Sequence, residues 1–247
     1  MSQAEKTIET GHLHPVTQMI REITDSFVAM GFEVADGPEV ESEHYNFDAL
    51  NVPKDHPARD MQDTFWVKGV PQTVLRTHTS SVQIRFMESH TPPFKIIAPG
   101  KVFRYEATDA THETQFHQLE GLVVGEGITL AHLKYTLQEF FKRLYGKTAQ
   151  IRMRPSFFPF VEPGLKIDVS CAKCSGAGCN VCKHTGFIEV MGAGMVHPNV
   201  LHAAGIDPRK YTGFAFGMGV DRLVMLKYGI DDVRLLYSGD LRLVNQF

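Results

Sequence analysis

The sequence predicts an α+β fold in which a large antiparallel β-sheet is flanked by helices. Several short runs of β-branched and aromatic residues are bounded by Gly, Pro or polar residues, as strands of an antiparallel sheet usually are. Three longer stretches place apolar residues three or four positions apart, which is the period of an amphipathic helix. The 247 residues are 43% hydrophobic and 21% charged, a composition typical of a globular chain with a large buried core.

Composition and charge exclude several function classes. The chain has 25 Lys and Arg against 28 Asp and Glu, a formal net charge of -3, whereas proteins that hold nucleic acid non-specifically are usually basic. It contains no apolar run of about 18 residues, which a membrane-spanning helix needs. The first ten residues are polar and acidic, unlike a secretory signal. We therefore expect a cytoplasmic enzyme with no membrane association.

The N-terminal quarter begins with residues 1–13, which are expected to form a flexible leader. Helical spacing starts at His14, and Gly31 is expected to end the helix. Residues 32–34 indicate a short strand. Residues 41–63 carry prolines and charges without a period, which predicts an ordered loop.

The rest of the chain supplies most of the sheet. One helix is expected between a capping residue, Thr129, and a terminating residue, Gly146. A second helix, Val220–Lys227, follows the last strand. The predicted strands are Thr73–Thr77, Phe94–Ala98, Val102–Tyr105, Phe116–Val124, Gln150–Met153, Leu165–Val169, Phe187–Met191 and Gly213–Gly217.

All the cysteines of the chain lie within twelve residues, between two of the predicted strands. Each C-x2-C pair can hold a metal from one tight turn, and four thiolates suit tetrahedral zinc. A closed four-cysteine site is structural, and iron or unligated reduced thiols are the alternatives. His184 is a reserve ligand. The predicted ligands are Cys171, Cys174, Cys179 and Cys182.

The first stretch with possible chemistry follows the strand at Val102. Strand alternation would place Arg104 and Glu106 on one face. On the residues alone, this is either a surface hairpin with an ion-paired face or an anion site. In the second case the planar guanidinium of Arg104 binds a phosphate, His112 adds a donor, and Phe116 offers a flat face to a base.

The second stretch is a strand of small residues, Gly213–Gly217, followed by a helix whose first turn carries Arg222. It is neither a P-loop nor a dinucleotide-binding fingerprint. Taken alone, Arg222 is equally well explained as a satisfied surface arginine.

Together the two stretches resemble motifs 2 and 3 of class II aminoacyl-tRNA synthetases, and residues 14–38 resemble their motif 1. Within that class, six stretches resemble the α subunits of bacterial phenylalanyl-tRNA synthetases: Arg76–Ser80, Phe103–His112, Phe116–Gly121, Phe157–Pro163, Gly194–Pro198 and Gly213–Gly217. The resemblance implies one class II catalytic domain over residues 14–247. The strand pair within 165–191 then carries the cysteine hairpin, a small zinc-knuckle insertion that well-known family members lack.

The resemblance also implies an activity, which is ATP-dependent formation of phenylalanyl-adenylate and transfer of the amino acid to tRNA(Phe). It implies Mg²⁺, with Glu162 contributing to a magnesium site shared with a β subunit in an α2β2 heterotetramer. Arg104 and Arg222 are the implied catalytic residues, with Arg222 and Phe116 on either side of adenine. The implied ATP-binding residues are Arg104, Glu106, His112, Phe116 and Arg222.

An amino-acid pocket is implied as well. Four polar residues would bind the ammonium and carboxylate of phenylalanine: His78, Ser80, Gln118 and Glu120. Phe158 and Phe160 would meet the substrate ring edge-on, and Ala215 would form the floor. Without the resemblance, ordinary core packing is the simpler explanation of the two phenylalanines.

Two alternatives and one departure accompany the resemblance. The alternatives to this activity are a catalytically inactive synthetase-like subunit that binds a partner or an amino acid, and a related ligase for another amino acid. The family usually carries an N-terminal coiled-coil arm that reaches the tRNA, and only about thirteen residues precede the first motif here. A truncated core or an unusual lineage would explain this, and we expect weaker aminoacylation.

Overall fold

The structure is a computed structural model that describes residues 11–55 and 64–247. The predicted leader therefore lies largely outside the described residues, as does the end of the predicted loop. No helix of the described ranges has both the length and the apolar character needed to cross a lipid bilayer.

A seven-stranded sheet forms the centre of the fold, in the order β1-β4-β5-β9-β8-β7-β6. All its neighbouring strands are antiparallel except β1 and β4, which run parallel. A separate antiparallel pair joins β2 and β3. In chain order the strands are β1 (Glu33–Val34), β2 (Val40–Ser42), β3 (Thr73–Leu75), β4 (Phe94–Phe103), β5 (Gln115–Gly125), β6 (Ile151–Phe158), β7 (Val161–Ser170), β8 (Phe187–Val196) and β9 (Thr212–Gly219).

Helices cover both faces of the sheet. The α-helices are α1 (Pro15–Val28), α2 (Glu43–Asn46), α3 (Ser80–Ser89), α4 (Leu130–Tyr145), α5 (Pro198–Ala203), α6 (Val220–Tyr228) and α7 (Leu241–Val244). Two 3-10 turns, Asp48–Leu50 and Val233–Leu236, complete the set of described helical segments. As predicted, Thr129 caps α4, and its backbone N–H donates to Nδ1 of His132, which completes a capping box.

Strand β5 separates two hydrophobic cores because its alternate residues point to opposite faces. Leu119 and Val123 join a core with α1, α4 and α6, in which the ring centres of Phe27 and Phe140 are 4.5 Å apart. Leu122 belongs to the second core, with α3 and α5. The sequence of β5 mixes polar and apolar residues, and the predicted strand Phe116–Val124 covers all but the first and last residues of the observed Gln115–Gly125.

The structure corrects three expectations. Residues 40–50 are not a loop, since they contain β2, α2 and a 3-10 turn, elements too short to show a period. The two predicted strands at 94–98 and 102–105 are one strand, β4, which continues through Pro99 because β1 pairs only with Ile96 and Ile97 and leaves the rest of that side an edge. Helix α3 was not predicted, because nearly every side of it is buried and no polar face marks the period.

Candidate active site

A cavity of about 520 Å³ opens on the α3 face of the sheet. Its wall contains Arg104 and all the residues that the resemblance assigned to amino-acid binding: His78, Ser80, Gln118, Glu120, Phe158, Phe160 and Ala215. These residues come from just after the end of β4, from the start of α3 and the segment before it, from β5 and β9, and from the end of β6 and the turn after it. The fold thus brings together side chains that lie up to 137 positions apart in sequence.

Glu120 is the buried carboxylate of this cavity, with only 5% of its surface exposed. Its Oε2 accepts hydrogen bonds from Ser80 Oγ at 2.5 Å and from Gln83 Nε2 at 2.9 Å. Burial raises the pKa of Glu120 from 4.5 to about 7, although these donors and the nearby Arg104 oppose the shift. The cavity therefore holds a carboxylate whose charge a cationic ligand would stabilise.

Among the described residues, two further polar atoms of the wall residues have no hydrogen-bond partner: His78 Nδ1 and the side-chain oxygen of Gln118. Burial, with a smaller contribution from Arg104, lowers the pKa of His78 to about 3, so the imidazole is neutral near pH 7. Buried polar groups without partners are uncommon in proteins, and here both belong to residues that line the cavity.

The opposite wall is apolar. The rings of Phe158 and Phe160 lie 5.9 Å apart and 22° from parallel. Ala215 sits on β9 between Leu122 and Gly194 of the neighbouring strands. At Gly192 an added Cβ would lie 3.1 Å from the Phe158 ring, so a small residue there leaves room for this ring. An aromatic ligand body fits this side of the cavity.

Arg104 lies where the cavity meets the surface loop after β4. Its Nε donates to the carbonyl of Thr77 at 3.1 Å, and its guanidinium carbon is 5.0 Å from the centre of the Phe116 ring. Burial lowers the pKa of Arg104, while Glu106 and Glu120 act in the opposite direction. The guanidinium is held by one backbone bond and leaves N–H groups for an anion.

The expected strand alternation between Arg104 and Glu106 is wrong. Strand β4 ends at Phe103, and the backbone N–H of Arg104 donates to the Thr114 carbonyl at 2.9 Å. The N–H of Glu106 then donates back to the Arg104 carbonyl at 2.9 Å, which is a tight turn rather than extended strand. The turn after Arg104, rather than strand alternation, therefore sets the relative positions of the two side chains.

The other nucleotide-binding candidates are not among the residues that line the cavity. Phe116 is half-buried on β5, and Arg222 is exposed on the first turn of α6. His112 is exposed on the loop, where its Nδ1 is 3.0 Å from an oxygen of Asp109. Backbone and hydroxyl donors from Thr111, together with His112, keep the pKa of Asp109 well below its usual range. This turn fixes the ring of His112 beside the open surface.

Glu162, the candidate magnesium ligand, projects from β7 with 76% of its side chain exposed. Its nearest ionic partner is His197, whose Nε2 is 3.4 Å from the carboxylate. Magnesium is commonly held by one or two carboxylates with waters and phosphates, and Glu162 can supply one of them.

The cysteine hairpin lies between β7 and β8. The sulfurs lie within 4.8 Å of one another, and three pairs are 3.8 Å apart: Cys171 with Cys179, Cys174 with Cys182, and Cys179 with Cys182. A tetrahedral zinc with Zn–S bonds of about 2.3 Å puts its sulfurs about 3.8 Å apart. His184 is not in this group. The donor set fits zinc.

Hydrogen bonds from backbone N–H groups also support a metal site in the hairpin. The N–H of Gly178 lies 3.2 Å from Cys174 Sγ, and the N–H of Cys179 lies 3.1 Å from Cys182 Sγ. Such bonds stabilise negative charge on sulfur, which metal-bound thiolates carry.

Gln83 is a candidate binding-site residue that could not be identified from the sequence. It is buried on α3, 6% exposed, and donates to Glu120 while lining the cavity. Its position three residues after Ser80 would have indicated the same helix face, but only if α3 had been predicted.

The chain matches the family described as tRNA synthetases class II core domain (F) over residues 1–247. It is 59% identical over 244 residues to the phenylalanine–tRNA ligase alpha subunit of Anoxybacillus flavithermus, a match that covers 98% of this chain and 70% of the relative. The alpha subunit of Enterococcus faecalis is 56% identical over 245 residues, with the same coverage. That of Staphylococcus carnosus is 58% identical over 244 residues, covering 98% of this chain and 69% of the relative. With a cavity that gathers the expected side chains and relatives of this similarity, the chain belongs to the class II aminoacyl-tRNA synthetases and, within them, to the phenylalanine–tRNA ligase alpha subunits.

Proposed function

We propose that this chain activates L-phenylalanine with ATP and transfers it to tRNA(Phe). The observation that carries the proposal is the single cavity that collects Arg104 with a buried carboxylate, two unpartnered polar groups and two phenylalanine rings. An amino acid with an aromatic side chain offers matching chemistry to each of these groups.

In this proposal the polar wall holds the amino acid by its ammonium group. Glu120 is the charged partner, and Ser80 and Gln83 keep its carboxylate in place. The free oxygen of Gln118 accepts a second hydrogen bond, and neutral His78 adds no competing charge. Phe158 and Phe160 pack against the substrate ring, with Ala215 beneath its para position.

Strand β5 aligns the amino-acid site with the proposed nucleotide site. Phe116, Gln118 and Glu120 alternate onto one face of this strand, about 7 Å from one to the next. Phe116 and Arg222 enclose adenine, and Arg104 faces the α-phosphate. Glu106 and His112 contact ATP from the loop, with His112 at the outer phosphates.

The chemistry needs no covalent protein nucleophile. A carboxylate oxygen of phenylalanine attacks the α-phosphorus, and the bond to pyrophosphate breaks. Arg104 and Arg222 stabilise the negative charge that develops on the phosphate oxygens. Mg²⁺ bound with ATP would further neutralise the phosphates, and Glu162 would contribute to a magnesium site shared with a β subunit.

The remaining parts of the proposal concern metal and partners. Zinc in the cysteine hairpin is structural, because four cysteines leave it no open position. A β subunit completes an α2β2 heterotetramer in the cytoplasm, and the tRNA is bound by the assembly. The mass of the chain in solution, alone and with its β subunit, tests the assembly directly: a heterotetramer supports it, and a chain that stays separate contradicts it.

The activity is tested by ATP–pyrophosphate exchange with a panel of amino acids, using the chain together with its β subunit. Exchange that depends on phenylalanine and exceeds that with tyrosine, leucine or lysine supports the proposal. Exchange with another amino acid alone would identify a related ligase, and no exchange at all would indicate a non-catalytic subunit.

A further inference from the structure

Asp221 is a buried carboxylate that none of the proposed chemical steps uses. It is 4% exposed and stands on the first turn of α6, directly before Arg222. One oxygen accepts the backbone N–H of His117 at 2.7 Å, and the other accepts the hydroxyl of Tyr237. These bonds reach two distant segments of the chain, so Asp221 joins β5, α6 and the C-terminal region.

The bond to His117 replaces a missing strand contact. The ladder between β5 and β9 ends at the pair Gln118 and Gly219. One step further the register would place His117 opposite Val220, but there the backbone turns into α6. The N–H of His117 would lack a partner at this point, and the carboxylate of Asp221 provides the acceptor.

Each of the two residues joined by this hydrogen bond is next in sequence to a proposed adenine contact. His117 follows Phe116 on β5, and Asp221 precedes Arg222 on α6. A single hydrogen bond of 2.7 Å therefore ties the backbone that carries one adenine contact to the turn that carries the other. The geometry points to a positioning role: we propose that Asp221 fixes the separation of Phe116 and Arg222 and thereby the affinity for the adenine of ATP.

Tyr237 supports the carboxylate from the other side. Its hydroxyl donates to Asp221, and it also lies 3.2 Å from Nδ1 of His117, whose ring is parallel to the tyrosine ring. The three residues form a closed group in which an amide can replace the carboxylate. In Asp221→Asn, the amide oxygen still accepts from His117, the amide nitrogen donates to Tyr237, and the tyrosine hydroxyl donates to His117 Nδ1.

The test compares Asp221→Ala with Asp221→Asn in pyrophosphate exchange by the complex of the chain and its β subunit. We expect Asp221→Ala to raise the KM for ATP at least about tenfold while the KM for phenylalanine changes less than about twofold. Asp221→Asn restores the KM for ATP to within about threefold of the unaltered chain. Asp168→Ala is the matched control, since Asp168 is equally buried but binds Arg152 and Arg154 at the far side of the sheet.

A rise in both KM values, no change in either, or an asparagine variant that behaves like alanine would overturn the positioning role. If Asp221→Ala does not fold, Tyr237→Phe takes its place, because it removes one of the two bonds. It is expected to raise the KM for ATP about threefold, and an unchanged value contradicts the inference.

The inference rests on the proposed function, and direct binding of a fluorescent ATP analogue separates the two. If the unaltered complex shows no exchange with phenylalanine, the proposed function fails. Loss of analogue affinity in Asp221→Ala but not in Asp221→Asn would still support the positioning role. Equal affinity in all three proteins would contradict it.

Discussion

The proposed amino-acid cavity and the cysteine hairpin are both preformed polar clusters, but they are built in opposite ways. The hairpin takes its four sulfurs from residues 171–182, so local turns alone bring them together. The cavity takes its groups from α3, β5, β9 and the turn after β6, and keeps a carboxylate, an imidazole nitrogen and an amide oxygen away from water. In the hairpin, backbone N–H donors are paired with the cysteine sulfurs of the same hairpin. In the cavity, polar groups are left to bind a ligand.

This difference predicts that changes in the cavity affect activity and that changes in the hairpin affect stability. The largest effect is expected for Arg104→Ala. Removing the guanidinium leaves the developing phosphate charge without its closest cation, and exchange should fall about 100- to 1,000-fold. Arg152→Ala is the control, since Arg152 binds the buried carboxylate of Asp168 from the edge strand β6 and does not line the cavity. Arg104→Ala with nearly full exchange would remove Arg104 from the proposed mechanism.

The second-largest effect is expected in the pH dependence of phenylalanine binding. In the proposed binding mode the ammonium of phenylalanine pairs with ionised Glu120, whose pKa is raised to about 7. Affinity should therefore fall by up to about tenfold per pH unit below pH 7 and level off above it. Titration calorimetry between pH 5.5 and 8 measures this, and Glu120→Gln should bind weakly without the same slope. His78 does not contribute, because its pKa of about 3 lies below this range.

The stability of the ligand-free chain should change in the opposite direction over the same pH range. The folded-state pKa of Glu120 is above its ordinary 4.5, so its protonated form favours folding at low pH. That contribution is lost as pH rises through about 7. The slope should be smaller in Glu120→Gln, and an identical slope in both proteins would place the titrating group elsewhere.

A smaller effect is expected at the floor of the cavity. Ala215→Gly removes one methyl group beneath the proposed para position and should raise kcat/KM for para-chloro-phenylalanine about tenfold over that of the unaltered chain. Ala98→Gly, a buried position of β4 outside the cavity, controls for the backbone effect of glycine. Equal exclusion of the analogue by both variants would show that Ala215 is not the floor.

The smallest effect on activity is expected at the hairpin. Removing the metal by chelation, or Cys174→Ser, should lower Tm by at least about 5 °C and leave exchange at 25 °C within about twofold. Lys173→Ala, an exposed change on the same hairpin, should alter neither. A metal-free chain with unchanged Tm would refute the structural role, and a large loss of exchange would link the hairpin to the cavity.

The same contrast explains what could be predicted from the sequence. The hairpin was predictable because its ligand spacing is local and its chemistry is confined to one residue type. Strand β5 was predictable from a segment that contains Phe116, Val123 and Val124 and is bounded by Gln115 and Gly125. The partners of Glu120 were harder, because Gln83 lies on α3, whose buried sides show no period.

The loop after β4 marks a second limit of prediction. Alternation was applied to Arg104 and Glu106, but the bond from the Glu106 N–H to the Arg104 carbonyl turns the backbone directly after Arg104. The residues of this turn, Arg104 to Glu106, include none of the Gly, Pro, Asn or Asp residues that usually mark a turn in a sequence. The backbone that follows Arg104 therefore differs from the expected extended strand, but Arg104 still lines the cavity.

A structure of the chain and its β subunit with bound phenylalanine tests the assignment of the cavity most directly. The expected result places the substrate ring between Phe158, Phe160 and Ala215, with its ammonium nitrogen within about 3 Å of the Glu120 carboxylate. The opposite result is phenylalanine bound elsewhere, or bound here with its carboxylate directed at Glu120. Either would contradict the assignment of this cavity to phenylalanine activation.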